Sequence, residues 1–337
     1  MKSADTGHEE RGADVGELAR ASRDAARRLR GRVRATEARR SEYLSAMSGA
    51  RVYLKLECLQ YTGAFKLRGA MSRLLAMSDD ERTRGAVTAS TGNHGRAVAY
   101  GCRALGMRAV VFVPETVTVD KKKAIEGFGA EVHVAGGDNC QAQAHARAYA
   151  AEQGMVMVPP YNDAHVVAGQ GTIGVELVEQ VGNIDAALVC VGGGGLVSGI
   201  GGYLKWALPK VKIYGCSPRN SAAMIECIHA GEIVTVETSP TLSDGSAGGN
   251  IVPGSITFDL CRELVDTFDT VTEEEIRDAL LLFLKTHHIL IEGSAAVPIA
   301  TFLRRKDEFK GKDVVIVLCG ANIDIDTLQS VLCGRAG

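Results

Sequence analysis

The feature that most limits the fold is a regular alternation of short β-branched runs with longer, alanine-rich stretches of helical spacing. Seven runs are predicted to be strands, at residues 51–56, 85–90, 109–114, 131–134, 186–191, 211–215 and 313–319. Strands that alternate with helices pair in parallel, so the sequence predicts an α/β fold with parallel-rich open sheets. No repeat or proline-rich linker is visible, so any second domain would be inserted within the chain.

Composition and charge favour a small-molecule partner. The chain has 337 residues, with 38 basic and 40 acidic side chains and a net charge of -2, which gives no electrostatic reason to bind nucleic acid or a membrane surface. It contains no run of about 18 apolar residues, the length that spans a membrane, and its N-terminus lacks the apolar segment of a secretory signal. We therefore expect a cytoplasmic protein.

The N-terminal region is charged and rich in glycine and alanine over the first 25 or so residues. It leads into the basic stretch 26–40, which we predict to be helical. We expect this region to form a solvated arm or an oligomer-contact helix.

The nine cysteines are scattered singly, without a Cys-x-x-Cys pair or a Cys/His cluster. This pattern is typical of reduced thiols that fill small spaces in a core. A disulfide framework and a zinc site are not expected.

Four consecutive glycines, Gly192, Gly193, Gly194 and Gly195, directly follow the predicted strand 186–191. Without side chains, their backbone N–H groups can converge on an anion, and a helix after them would add the positive end of its dipole. The spacing fits neither the dinucleotide nor the nucleoside triphosphate glycine motif. The run therefore predicts a phosphate monoester site, with close helix–strand packing as the alternative.

Lys66 lies in the run G-A-F-K-L-R-G-A, between a glycine-containing turn and a predicted helix. Small and apolar neighbours disfavour the ammonium form and leave an amine that can form an imine with an aldehyde cofactor. Taken alone, a lysine near a helix start is more often a solvated side chain.

A polar turn, S-T-G-N-H, follows the predicted strand 85–90 and precedes an alanine-rich helix. The hydroxyls of Ser90 and Thr91, with backbone N–H groups at a helix start, suit a carboxylate. Asn93 offers both a donor and an acceptor. We interpret His94 as a structural hydrogen-bonding group more readily than as a proton carrier.

Cys319 falls at the carboxyl end of the predicted strand 313–319, and the residues G-A-N follow it. Ligands of open α/β sheets bind at such strand ends, so the thiol could face a ligand. A plain core cysteine is equally compatible with the pattern.

Together and in this order, the four motifs resemble those of fold-type II pyridoxal 5′-phosphate (PLP) enzymes, whose two-lobe fold is that of the tryptophan synthase β chain. Within that family they are similar to the threonine/serine dehydratase and serine racemase branch. G-A-F-K-L-R-G-A resembles its Schiff-base lysine motif, S-T-G-N-H-G its carboxylate loop, G-G-G-G-L its phosphate loop and C-G-A-N its cofactor-ring motif. Cysteine synthase-like members carry a different lysine motif, so the resemblance favours elimination over replacement.

The resemblance implies a PLP-dependent carbon–oxygen lyase that converts a β-hydroxy amino acid, such as threonine or serine, into a 2-oxo acid and ammonia. Lys66 would hold PLP as a Schiff base and, once freed, would remove the substrate α-proton. The thiol of Cys319 would contact the pyridine nitrogen as an uncharged partner, which discourages transamination.

The remaining contacts are also implied by the resemblance. The four glycines would bind the phosphate, and Asn93 would contact the ring hydroxyl. The substrate carboxylate would bind at Ser90, Thr91, Asn93 and His94. Predicted cofactor contacts also include Phe65, Leu196 and Glu292, and for Glu292 a helix-capping carboxylate is the alternative.

Three departures from the family pattern bear on function. Thr91 stands where racemases carry a catalytic serine, so it is a catalytic candidate, and an amino-acid racemase is an alternative function. The stretch 215–223 lacks the carboxylates of metal-binding relatives, so we predict no metal there. The run 242–254 resembles that of a hydroxyectoine-utilisation subgroup, which would make a hydroxyectoine-derived amino acid the substrate.

By resemblance, residues 72–160 would form a small domain inserted in a large PLP-binding domain made of 1–71 and 161–337. PLP would lie in the cleft between them, and a homodimer is implied. The sequence ends fifteen residues after Asn322, so we expect no C-terminal regulatory domain and no feedback control by isoleucine.

Overall fold

Two sheets carry the architecture in the computed structural model, which describes residues 15–247 and 251–334. The strands are β1 Ala38–Arg40, β2 Arg51–Lys55, β3 Ala86–Ala89, β4 Ala109–Val113, β5 Glu131–Val134, β6 Val156–Met157, β7 Ala186–Cys190, β8 Lys212–Pro218, β9 Thr267–Val271 and β10 Asp313–Val317. The larger sheet has the order β1-β2-β10-β7-β8-β9, and the smaller one β5-β4-β3-β6. Every pairing is parallel except that of β1 with β2, which confirms the predicted α/β class with parallel-rich sheets.

Helices connect the strands and cover both sheets. They are α1 Val15–Leu29, α2 Glu42–Ser48, α3 Lys66–Leu75, α4 Asp79–Arg84, α5 Asn93–Ala104, α6 Val119–Glu126, α7 Asn139–Gln153, α8 Ala164–Val181, α9 Gly195–Ala207, α10 Ala223–Ala230, α11 Ile256–Leu264, α12 Glu273–His287, α13 Gly293–Arg305 and α14 Ile325–Leu332. Across residues 15–247 and 251–334, none of these helices combines the length and apolar character needed to cross a membrane.

Strands β7 and β10 form the centre of the larger sheet, and all of their residues are buried. Their apolar runs bury both faces, as expected for parallel strands covered by helices on either side. The glycine run and Cys319 therefore follow strands that are fully buried.

All seven predicted strands are present, with ends shifted by at most three residues, and β5 has the predicted bounds. Strands β1, β6 and β9 were not predicted. Strand β6 has only two residues, and β1 carries two arginines at the sheet edge, so neither produces a hydrophobic run. Strands β1 and β6 form because the strands beside them, β2 and β3, supply the backbone hydrogen-bond partners.

The predicted helix over 26–40 is wrong beyond residue 29. Helix α1 ends at Leu29, and Gly31 adopts a left-handed conformation with φ 75°. Residues 38–40 instead pair with β2 at the sheet edge. The described part of this region is not a solvated arm either, because α1 packs on α8 and α9 and buries Ala19, Ser22, Ala25 and Leu29.

The smaller sheet is built from residues between 86 and 157, and the larger sheet from residues before and after them. This arrangement is compatible with an inserted domain. The boundaries at residues 72 and 160 stay a prediction.

Candidate active site

The thirteen predicted site residues all line one cavity of about 280 Å³. They are Phe65, Lys66, Ser90, Thr91, Asn93, His94, Gly192, Gly193, Gly194, Gly195, Leu196, Glu292 and Cys319. They follow the carboxyl ends of β3, β7 and β10 or begin the adjacent helices, where open α/β sheets bind their ligands. Their individual roles stay predictions.

Lys66 is the first residue of α3, and its partly buried side chain lines the cavity. Burial lowers the pKa of its amine to about 8, although the nearby Cys319 and Glu292 act in the opposite direction. The Nζ atom donates a hydrogen bond of 2.7 Å to the carbonyl of Pro160. The cavity therefore contains an amine with a substantial neutral fraction near neutral pH.

The glycine run turns from β7 into α9 with almost no free space around it. A Cβ atom at Gly193 would lie 2.3 Å from the ring of Tyr161, and one at Gly192 would lie 2.4 Å from the carbonyl oxygen of Ser246. Gly194 has φ 83°, a conformation that favours glycine. Close packing thus explains part of the run, and the same four residues also line the cavity.

Asn93 belongs to a polar cluster around the carboxyl group of Glu292. Its Nδ2 donates to Oε1 and Oε2 of Glu292 at 2.9 and 3.1 Å, and the backbone N–H of Asn322 donates to Oε2 at 3.0 Å. The side chain of Asn322 donates to Oδ1 of Asn93 at 2.7 Å. Because Glu292 is buried, its pKa is raised to about 7.

The capping interpretation of Glu292 is wrong. Glu292 occupies the N-cap position of α13, but its side chain makes no capping hydrogen bond. Its carboxyl group instead lies against Gly320, where a Cβ atom would come within 2.6 Å. The side chain therefore points toward the cavity residues rather than back along its own helix.

His94 is buried, and its Nε2 lies 3.0 Å from the carbonyl oxygen of Val158. Burial, with the nearby charge of Lys66, lowers the pKa of the ring to about 3, so the imidazole is neutral. A carbonyl can only accept, so Nε2 carries the proton, and Nδ1 has no hydrogen-bond partner among the described residues. The ring has no N–H left for a substrate carboxylate.

Cys319 is buried immediately after β10. A hydrogen bond with Cys190, together with burial, raises the pKa of its thiol, so the sulfur is uncharged. Cys190 ends the adjacent strand β7 and lines the same cavity.

Several cavity residues were missed in the sequence, among them Pro160, Tyr161, Cys190, Ser246, Ser294 and Asn322. Asn322 is part of the C-G-A-N motif, and its position there was a usable signal. Pro160 acts through its backbone carbonyl and Tyr161 through the shape of its ring. Neither contribution can be predicted from a pattern of residue types in the sequence.

Residues 29–320 match the protein family described as pyridoxal-phosphate dependent enzyme. The chain belongs to this family. Among its relatives, the L-threonine ammonia-lyase of Thermotoga maritima is 39% identical over 310 residues, which cover 92% of this chain and 77% of the relative. The catabolic L-threonine dehydratase of Escherichia coli is 34% identical over 91% of this chain and 94% of its own length.

Solved structures give the same result for the fold. The processed form of threonine deaminase isoform 2 from Solanum lycopersicum superposes with a TM-score of 0.90 at 32% identity, covering 97% of this chain and 95% of that one. Serine racemase from Dictyostelium discoideum gives 0.84 at 32% identity, covering 91% and 98%. The two-lobe fold expected of this PLP-dependent enzyme is confirmed.

The cavity of this PLP-dependent enzyme fits its cofactor chemically. An aldehyde requires a buried, partly neutral amine, and Lys66 is one. A phosphate requires a wall that backbone N–H groups can reach, and the packing around Gly192 and Gly193 excludes side chains from that wall. The uncharged thiol of Cys319 is a suitable neighbour for a pyridine nitrogen.

Proposed function

We propose that the protein is a PLP-dependent ammonia-lyase that eliminates the β-hydroxyl group of an amino acid such as threonine or serine and releases a 2-oxo acid and ammonia. The observation that carries the proposal is the meeting of Lys66, the four glycines and Cys319 around one cavity. The sequence identity to L-threonine ammonia-lyase over most of the chain supports this reaction rather than another of the same fold.

The cofactor, when bound, withdraws electron density from the substrate α-carbon and makes its proton acidic. In our proposal, Lys66 anchors the cofactor and then, once displaced by the substrate amine, removes that proton. An amine with a pKa of about 8 suits this task, because it is partly neutral at physiological pH and still basic enough to bind the proton. The proton removed from the α-carbon balances the one that the β-hydroxyl group takes up to leave as water, and a water molecule then hydrolyses the released enamine to the 2-oxo acid and ammonia.

The four glycines would bind the cofactor phosphate at the start of α9, with Phe65 and Leu196 beside the ring. Asn93 would contact the ring hydroxyl, because its side-chain amide lines the cavity beside Glu292 and can donate or accept. Cys319 would contact the pyridine nitrogen without holding it protonated, which limits transamination.

The substrate carboxylate would bind at the turn formed by Ser90, Thr91, Asn93 and His94, through the two hydroxyls and the backbone N–H groups at the start of α5. The contribution of His94 would come from its backbone, because its only ring N–H is used by Val158.

A racemase remains the second candidate, because Thr91 lines the cavity where a hydroxyl could protonate the opposite face of the α-carbon. A hydroxyectoine-derived substrate is a narrower form of the lyase proposal. It depends on the run 242–254, of which Gly248, Gly249 and Asn250 lie outside the described residues.

We also propose that the protein is located in the cytoplasm, that it forms a homodimer, and that its domain boundaries lie at residues 72 and 160.

The decisive experiment incubates the purified enzyme with L-threonine and with L-serine, and assays 2-oxo acid and D-amino acid in the same samples. We expect 2-oxo acid to be the dominant product. We also expect a visible absorbance band that disappears on treatment with borohydride, which should leave the pyridoxyl group covalently attached to Lys66. Lys66→Ala should form no 2-oxo acid and no covalent adduct on reduction, while it still binds some PLP through the glycine run. Lys122→Ala, which changes a partly exposed lysine, should behave like the wild type. Dominant D-amino acid would favour the racemase, and a colourless protein would refute a PLP enzyme.

A further inference from the structure

The short segment 158–161 of sequence V-P-P-Y, called here the carbonyl segment, contacts three parts of the active site. It follows β6 and leads toward α8. Its first residue, Val158, is fixed against β3: its N–H donates to the carbonyl of Val87 at 2.8 Å, and its carbonyl accepts from Oγ1 of Thr88 at 2.8 Å. The carbonyl segment therefore begins from a rigid point.

Two prolines restrict the backbone after Val158. A residue that precedes proline is driven into an extended conformation, and this applies to both Val158 and Pro159. In an extended chain, alternate residues face the same way. The carbonyl oxygens of Val158 and Pro160 both accept hydrogen bonds from residues that line the cavity. The first accepts from Nε2 of His94 at 3.0 Å, and the second from Nζ of Lys66 at 2.7 Å.

The next residue, Tyr161, supports the glycine run. A Cβ atom on Gly193 would lie 2.3 Å from the Tyr161 ring, and one on Gly195 would lie 3.0 Å from its Cβ atom. For both glycines, chain neighbours aside, Tyr161 supplies the atoms that an added Cβ would meet first. Adjacent residues of one stiff segment thus contact the amine and the predicted phosphate loop.

We propose that the carbonyl segment is a positioning element, in which the Pro160 carbonyl is the acceptor that receives the free Lys66 amine and aligns it with the glycine run. The inference rests on the proposed role of Lys66 as the base. A carbonyl oxygen interacts more strongly with an ammonium than with a neutral amine, so this contact stabilises the protonated form. Burial lowers the pKa of Lys66, and we expect this contact to oppose part of that effect.

The test measures the pKa of Lys66 in the full-length chain after the cofactor has been removed. The rate of acetylation of Lys66 by acetic anhydride is followed by peptide mass spectrometry between about pH 6 and 10, a range that brackets the expected pKa. Pro160→Gly frees the backbone and lets the carbonyl turn away. Since a hydrogen bond contributes about 1 kcal/mol net, we expect the pKa of Lys66 to fall by roughly 0.5 to 1.

Pro209→Gly is the matched control, because Pro209 is exposed in the connection between α9 and β8 and does not line the cavity. It should leave the pKa of Lys66 unchanged. A second pair acts at the other end of the carbonyl segment, through the buried Thr88. Thr88→Val removes the hydroxyl that holds Val158 and should also lower the pKa of Lys66, whereas Thr88→Ser keeps the hydroxyl and should restore it.

The proposal would be overturned if the pKa of Lys66 were the same as in the wild type in both Pro160→Gly and Thr88→Val. Lowered melting temperatures would not rescue it, because they would show only that the segment contributes to packing. If Pro160→Gly does not fold, the Thr88 pair decides. The measurement needs no turnover, so loss of lyase activity and loss of the positioning effect can be told apart.

Discussion

The backbone N–H of Phe65 donates a hydrogen bond of 2.9 Å to the carbonyl of Cys319. Beside it, Ala64 and Gly320 form an antiparallel bridge. The residue before Lys66 is thereby fixed to the residue whose thiol is proposed to contact the cofactor ring. The backbones that carry the amine and the thiol are thus held together by direct backbone contacts.

Gly193→Ala should weaken cofactor binding. The added methyl group would lie 2.3 Å from the Tyr161 ring, so either the ring or the glycine run has to move. Overpacking of this kind costs about 1–3 kcal/mol, and if all of it falls on the cofactor-bound state, the PLP affinity decreases by about five- to 150-fold. Fluorescence titration with PLP measures it. Gly137→Ala is the control, because its Cβ would meet nothing closer than 4.0 Å; equal affinity in the two variants would contradict the prediction.

Cys319→Ser should retain most of the lyase activity, and Cys319→Asp should divert turnover toward transamination. The buried thiol is uncharged, and serine is uncharged as well, whereas a carboxylate would hold the pyridine nitrogen protonated. The measurement compares 2-oxo acid with the pyridoxamine form of the cofactor by mass spectrometry. An aspartate variant with unchanged product distribution and spectrum would argue against contact between residue 319 and the ring.

Glu292→Gln should change how stability depends on pH. Burial raises the pKa of Glu292 from 4.5 to about 7, so the folded chain binds this proton more tightly than the unfolded chain. The free energy of unfolding therefore decreases as pH rises from about 4.5 to 7, by roughly 3 kcal/mol at most for this group.

This loss should be absent in the glutamine variant. His94 acts in the opposite sense, because its pKa is lowered to about 3 and it destabilises the fold as pH falls through the range of an unfolded histidine. The difference between variant and wild type, measured by urea denaturation across pH, isolates Glu292. Parallel stability curves would disprove the assignment.

Arg68→Met should destabilise the fold strongly. Arg68 is fully buried two residues after Lys66, and it bonds Glu57 through Nε at 2.8 Å and Glu176 through Nη1 at 2.6 Å. Its loss leaves the carboxylate of Glu57 buried without this partner, which costs about 3–5 kcal/mol. Arg108→Met is the control, because the Arg108–Glu131 pair is half exposed and contributes at most about 1 kcal/mol. Similar urea midpoints for the two variants would refute this account.

The sequence was sufficient where function depends on residue types that follow a strand. Lys66, the four glycines and Cys319 lie in short motifs, and the parallel sheet brings those motifs to one cavity. It was insufficient where the contact is made by the backbone. No pattern indicates that the carbonyl of Pro160 accepts from Lys66, or that the helical composition of 26–40 is overridden by Gly31 and by pairing with β2.

The two sheets divide the site between them. Ser90 and Thr91 follow β3 of the smaller sheet, whereas the glycine run and Cys319 follow β7 and β10 of the larger one. Asn93, at the start of α5, is the residue of the smaller sheet's turn that is also proposed to contact the cofactor. We therefore expect substitutions at Ser90 and Thr91 to alter which amino acid is accepted while the glycine run and Cys319 continue to hold the cofactor.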